Sequence, residues 1–212
     1  GSLFITDLQE KFQTAGIEVK NSNLGQLPET TWFHYPSDYL GDIVHSLNVR
    51  SDNLYAESVL RLLSLSDHEK GSAEKGIDII RKYWQNYEAD SLELFMYDGS
   101  GLARNNKVSA KYLNCVLKET ARDSLIGEYF VQTLPLAGKE GSVATIIKHG
   151  ELPGELRLKS GSMSDVHAYA GYYTTPQNRY AIVVMINNYT CTRAQLKQKI
   201  STLLTQVLSK KE

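Results

Sequence analysis

The residues best suited to chemistry lie near the C-terminal end, in Lys159-Ser160-Gly161-Ser162. A cation beside two hydroxyls and a glycine can receive an anion. The lysine supplies charge, the glycine lets a ligand backbone approach closely, and the amide after it can point at an oxyanion. The stretch follows Glu155-Leu156-Arg157-Leu158, whose alternation predicts a strand with both leucines facing a core. The lysine is therefore expected at a strand end. Two more strands are expected, His167 to Tyr173 and Tyr180 to Asn188. Pro176 and Asn178 in the join from Thr174 to Arg179 predict an antiparallel meander. Taken alone, Lys-Ser-Gly-Ser fits a solvated strand end more readily than an anion site.

A second stretch adds weight to the anion site. Ser51-Asp52-Asn53 opens the run SDNLYAE, and together with Lys159-Ser160-Gly161 it resembles the S-D-N and K-T-G pair of penicillin-binding proteins and serine β-lactamases. Ser160 stands for the threonine and keeps the hydroxyl. YDGSGLARNNKVS (Tyr97 to Ser109) and LKSGSMSDVHAYAGYY (Leu158 to Tyr173) narrow the likeness. With these four stretches the chain resembles the DacB-like D-alanyl-D-alanine carboxypeptidases, the penicillin-binding protein 4 group of peptidase family S13, from about Leu3 onward.

The resemblance implies a serine acyl-enzyme mechanism on the peptide bond between two D-alanines. Ser51 would stand beside the nucleophile and relay a proton to the leaving amine. Asn53 would hydrogen-bond the amide on the acyl side. Lys159 would hold charge against the terminal carboxylate and favour proton transfer through Ser51. Ser160 and Ser162 would offer hydroxyls to that carboxylate across Gly161, and the Ser162 amide would form half of an oxyanion hole. The family's nucleophile belongs to a Ser-x-x-Lys that precedes the Ser-Asp-Asn, and residues 1–50 contain none. Residues 1–212 are thus expected to be the C-terminal half of such a penicillin-binding domain, inactive by itself. The fold expected is α+β, a partial β-lactamase/transpeptidase-like fold from which the first strands and the nucleophile helix are missing. The alternative is a binding module without a nucleophile that recognises stem peptides or a partner. A β-lactamase shares both motifs but is disfavoured by YDGSGLARNN.

The same resemblance implies peptidoglycan stem peptides ending in D-Ala-D-Ala and β-lactams as partners, and a periplasmic or cell-envelope location. It implies no cofactor and no metal. For the complete domain it also implies a five-stranded antiparallel sheet whose last strand is central and pairs with the domain's first strand, expected to be absent here. The apolar run Ala181 to Ile186 suits a strand buried on both faces. Left at an edge, it would offer its backbone to a second copy, giving a homodimer, unless Ile17 to Val19 covered it.

Composition bounds the rest. Of 212 residues 42% are hydrophobic, enough for a real core, and the net charge of −1 argues against a nucleic-acid surface. No 18-residue apolar run predicts a membrane span, and residues 1–212 contain no secretory leader; the start at Gly1-Ser2 without methionine leaves open a leader that was removed or not included. The five histidines show no His-x-x-x-His spacing, against a zinc peptidase. His167 reads as structural. Cys115 and Cys191 form no metal or redox pair and read as small buried thiols. Asp98-Gly99-Ser100-Gly101 matches neither a phosphate loop nor a hydrolase elbow, so it reads as a turn.

The elements that must position these residues follow from apolar spacing. Leu3 to Ala15 predicts a helix stopped by Gly16, and Asn21 to Thr31 a loop. Leu40, Ile43, Val44 and Leu47 predict one short helix, and Tyr55, Val59, Leu62 and Leu63 the next. Ser51-Asp52-Asn53 then lies on the turn between them, with Asp52 placed to cap the second. Ile77, Ile80, Trp84 and Tyr87 mark another helix. Its start explains Ser72-Ala73-Glu74-Lys75, a Ser-x-x-Lys in the wrong order, with Ser72 as N-cap. Leu92 to Met96 predicts a strand, Ser109 a capped helix, and Ser124 to Thr133 a helix ended by Pro135. Leu136 to Pro153 reads as loop with a short helix. Thr192 is placed to cap a last helix with the stripe Leu196, Ile200, Leu203, Leu204, Val207 and Leu208.

Overall fold

The computed structural model describes residues 9–18, 36–66, 70–87 and 93–211. The chain divides into residues 1–37 and residues 38–212. In the first unit, residues 9–14 form helix α1, which ends at Gly16 with φ of 73° and an Ile17 amide bonded back to the Phe12 carbonyl. Ile17 and Glu18 are irregular. Phe4, Leu8, Val19 and the loop Asn21 to Thr31 lie outside the described residues.

The second unit begins with α2 (Leu40–Arg50), α3 (Asn53–Leu62) and α4 (Ala73–Trp84). The short pair β1 (Leu94–Phe95) and β2 (Lys107–Val108), α5 (Ala110–Arg122) and α6 (Gly127–Thr133) follow. A 3-10 turn at Gly141–Val143 leads into β3 (Glu155–Met163), β4 (Val166–Thr174) and β5 (Arg179–Asn187), and α7 (Arg193–Leu208) closes the chain. Capping chemistry sets several of these starts. Ser72, Ser109 and Thr192 each accept the amide three residues on, and Thr192 with Gln195 forms a capping box. Ser72 is therefore an ordinary helix start.

β3, β4 and β5 form an antiparallel sheet in that order. One face carries α7: Leu156, Leu158, Tyr169 and Tyr173 pack with Leu196, Ile200, Leu204 and Leu208. The other face carries α5 and α6, where Tyr172 packs with Leu117, Val131 and Leu134. Tyr172 also donates its buried hydroxyl to the Leu117 carbonyl at 2.7 Å. Burying a leucine such as Leu158, 0% exposed, contributes about 1.5–3 kcal/mol. His167 is buried on the α7 side, its Nε2 2.9 Å from the Tyr169 hydroxyl, a structural placement.

The structure departs from the sequence expectations in four places. β3 runs on through Met163, so Lys159 to Ser162 lie inside a strand, paired with Ala170, Tyr169, Ala168 and His167. Serine and glycine have weak strand propensity, and the cross-strand partner supplies what they lack. α6 starts at Gly127, not Ser124, because the Asp123 carboxylate takes the Leu125 and Ile126 amides into a turn first. Leu203 and Val207 of the expected α7 stripe are half exposed, since only the four-residue repeat from Leu196 to Leu208 meets the sheet. Cys115 and Cys191 are half-buried rather than buried. As expected of a partial fold without its first strands, the sheet among the described residues has three strands, with β5 at an edge. β5 is covered on both faces, Ile182, Val184 and Ile186 meeting one core and Ala181 and Val183 the other, yet each stays half-buried.

Candidate active site

α2 delivers Ser51. The helix is tied to α6 by buried Asn48, whose Nδ2 donates to Thr133 Oγ1 at 3.1 Å. One turn later Ser51 ends α2 in the left-handed region, φ 56° and ψ 48°, with its amide on the Leu47 carbonyl. That conformation costs a non-glycine residue about 1–3 kcal/mol and clusters at functional positions. Asp52 then caps α3, its Oδ1 accepting the Tyr55 amide at 3.0 Å. Its role is structural. Asn53 is the exposed first residue of α3.

β3 delivers Lys159. Leu156 and Leu158 face α7, so Arg157 and Lys159 face the opposite side, toward α5 and α6. Lys159 Nζ donates to Ser51 Oγ at 2.7 Å and to the Ser160 carbonyl at 2.8 Å. The two motifs, 108 residues apart in sequence, meet in this bond. Burial pushes the Lys159 pKa below the ordinary lysine value, because a half-buried ammonium loses hydration.

The backbone of β3 opens the site on one side. The Ala137 amide donates to the Leu156 carbonyl at 2.8 Å, and the Leu158 amide donates to the Pro135 carbonyl at 3.0 Å. Even-numbered residues therefore turn their backbone groups away from β4. The segment 135–137 covers that edge at Leu156 and Leu158. By the same alternation the amides of Ser160 and Ser162 point to the outer edge beside Lys159. Ser162 and Gly161 are exposed, and a Cβ built on Gly161 would meet nothing within 4 Å. The space over the glycine is free for a ligand.

Two contacts were not legible in the sequence. Ser142, on the 3-10 turn, places its Oγ 2.5 Å from Ser160 Oγ. Glu57, four residues after Asn53 and so on the same face of α3, accepts the amides of Gly99 at 2.9 Å and Ser100 at 3.1 Å. Nothing in the sequence around either residue announces its partner. The Asp98 loop is a turn, as expected. Burial raises the Asp98 pKa, but bonds from Asn106, Ala103 and Gly101 outweigh it and hold the carboxyl below its ordinary value. Of the six residues singled out, Ser51, Lys159 and Ser160 are thus joined by hydrogen bonds. Asn53, Gly161 and Ser162 are exposed on the same two segments. Among the described residues no three His, Cys, Asp or Glu side chains are placed to hold a metal, and no helix is long and apolar enough to cross a membrane.

A helix-flanked antiparallel sheet, with Ser-Asp-Asn at a helix–helix turn bonded to Lys-Ser-Gly on a facing strand, defines the fold class of penicillin-binding proteins and serine β-lactamases. The model of the D-Ala-D-Ala carboxypeptidase 3 (S13) family matches residues 2–210, and the chain belongs to that family. It is 27% identical over 206 residues to the D-alanyl-D-alanine carboxypeptidase DacB of Haemophilus influenzae, covering 93% of this chain and 42% of the relative. It is 25% identical over 193 residues to the D-alanyl-D-alanine carboxypeptidase of an Actinomadura species, covering 85% and 36%. The chain thus spans about two fifths of the length of these curated relatives. In three dimensions it is similar to penicillin binding protein 4 of Haemophilus influenzae, with a TM-score of 0.73 and 24% identity, covering 95% of this chain and 47% of that one. The extended-spectrum β-lactamase TLA-1 shares the fold at a TM-score of 0.57 over 80% of this chain and 64% of that one, with 15% identity.

Proposed function

We propose that this chain is the carboxylate-binding and proton-relaying part of a serine-type D-alanyl-D-alanine peptidase that acts on peptidoglycan in the periplasm or cell envelope. The bond between Lys159 and Ser51, set beside an open strand edge, carries this reading. A stem peptide laid along β3 meets the Lys159 charge and the Ser160 and Ser162 hydroxyls at its terminal carboxylate. Asn53 holds the amide on the acyl side, and the Ser162 amide faces the oxyanion. The attacking serine's oxygen bonds the carbonyl carbon as the bond to the D-alanine nitrogen breaks, and the serine's proton leaves by way of Ser51. Ser51 passes a proton to the departing D-alanine nitrogen, with Lys159 lowering the cost of that transfer, and water then cleaves the ester. The attacking serine lies outside this sequence, because no Ser-x-x-Lys precedes Ser51. Residues 1–212 accordingly form the C-terminal half of the penicillin-binding domain. Relatives described as carboxypeptidases, and a penicillin binding protein 4 structure solved with a β-lactam, support the substrate class.

The test is an NMR titration of the chain with N-acetyl-D-alanyl-D-alanine, paired with intact mass measurement after benzylpenicillin. Shifts at Ser51, Lys159 and Ser160 without a stable adduct are expected. A stoichiometric adduct, above all one on Ser72, overturns the assignment of the nucleophile. The missing Ser-x-x-Lys also favours a second reading, a binding module of the same fold. Tight stem-peptide binding by the natural protein without β-lactam acylation would decide for that module.

A further inference from the structure

We infer that Ser142 is a positioning residue that aims the Ser160 hydroxyl at the terminal carboxylate of the bound peptide. The inference rests on the proposed reading of the site. Two serine hydroxyls 2.5 Å apart share one hydrogen along the line between them. Each serine has one proton to give. If Ser160 gives its proton to Ser142, lone pairs of Ser160 face the ligand and repel an anion. If Ser142 donates to Ser160, the Ser160 proton is left for the carboxylate. An anion therefore selects the chain Ser142 to Ser160 to carboxylate, in which each bond polarises the next.

The turn that carries Ser142 is built to hold it there. Val143 is fully buried, its carbonyl accepts the Gly138 amide at 3.1 Å, and Glu140 Oε2 accepts the Leu136 amide at 2.8 Å. Gly141 has φ of 52°, and a Cβ there would come 2.4 Å from the Val49 carbonyl of α2. The turn thus lies against α2 two residues before Ser51 and touches β3 at Ser160. It braces both motif-bearing elements. Ser142 itself is exposed, so no buried polar group depends on its hydroxyl, and the usual structural reason for such a bond is missing.

The test compares the affinity of the 212-residue chain for N-acetyl-D-alanyl-D-alanine and for its C-terminal amide, by NMR titration. The ratio isolates recognition of the carboxylate. In Ser142→Ala the preference for the acid should fall about three- to tenfold, the range of one hydrogen bond. Ser142→Thr should retain it, Ser160→Ala should lose at least as much, and thermal melting of Ser142→Ala should match wild type. Should Ser142→Ala unfold, Ser142→Cys keeps the side-chain size with a weak donor and should show the same loss. Full acid preference in Ser142→Ala alongside its loss in Ser160→Ala overturns this inference and leaves the site reading standing. No acid preference in the wild-type chain, or full preference in Ser160→Ala, overturns both.

Discussion

Lys159→Met separates what the lysine does for a ligand from what it does to the fold. Methionine keeps the length and removes the charge. The lost ammonium made two bonds, to Ser51 Oγ at 2.7 Å and to the Ser160 carbonyl at 2.8 Å. Against a ligand carboxylate, a hydrogen bond involving a charged group is worth about 1.5–3 kcal/mol. Affinity for N-acetyl-D-alanyl-D-alanine should therefore drop about ten- to a hundredfold. Stability should not fall with it. The groups left behind are an exposed serine hydroxyl and an edge carbonyl, both within reach of water, so neither is stranded. The folded chain binds the Lys159 proton less tightly than the unfolded chain, because burial lowers the pKa. The lysine's contribution to stability is then lowest at pH below its folded pKa and rises as pH climbs through that value toward the ordinary lysine value. Methionine removes the cost and the rise together. Urea unfolding at neutral pH, and again just below the ordinary lysine pKa, should show the variant at least as stable as wild type at the first pH, with a smaller gap at the second. Undiminished ligand affinity refutes the carboxylate role. A loss of more than about 1 kcal/mol at neutral pH, the worth of an ordinary hydrogen bond, shows that the two bonds outweigh the burial.

Three further outcomes are expected. In hydrogen exchange, the β5 amides of Ala181, Val183 and Met185 should exchange fast and those of Ile182, Val184 and Ile186 slowly, because β4 takes alternate backbone groups and the others face the open edge. Uniform protection in dilute solution would show a covering strand, and protection that grows with concentration would mark a second copy. Ser72→Ala should lower stability by about 1 kcal/mol through the lost cap of α4, with stem-peptide binding unchanged; altered binding would return Ser72 to the site. His167 is held neutral by burial first, and then by Lys197 and Arg193, which lower its pKa. The unfolded chain takes up the proton first, so stability should fall as pH drops through the ordinary histidine range toward the folded value. His167→Gln should flatten that part of a pH–stability curve measured by urea unfolding, and an unflattened curve would place the titration elsewhere.

Much of this chain was legible locally. Ser72, Ser109, Thr192 and Asp52 each cap through an amide three residues on, a bond that needs no distant partner. The leucines of β3 and the four-residue repeat of α7 announced the sheet core by their spacing alone. The Ser-Asp-Asn and Lys-Ser-Gly motifs were visible as strings, as was the family they belong to. Tertiary structure decided the rest. β3 continues through Lys159 to Met163 because β4 pairs with it, and no residue there favours a strand strongly enough to show it in advance. Ser142 meets Ser160 of the site 18 positions away, and Glu57 holds the Gly99 turn 42 positions away, contacts that no local pattern encodes. The contact of Lys159 with Ser51 spans 108 positions, and the lowered lysine pKa comes from the burial that accompanies it. Hydrogen bonds within one helical turn are set by neighbours in sequence, whereas the desolvation and reach of a side chain are set by whatever the folded chain brings around it.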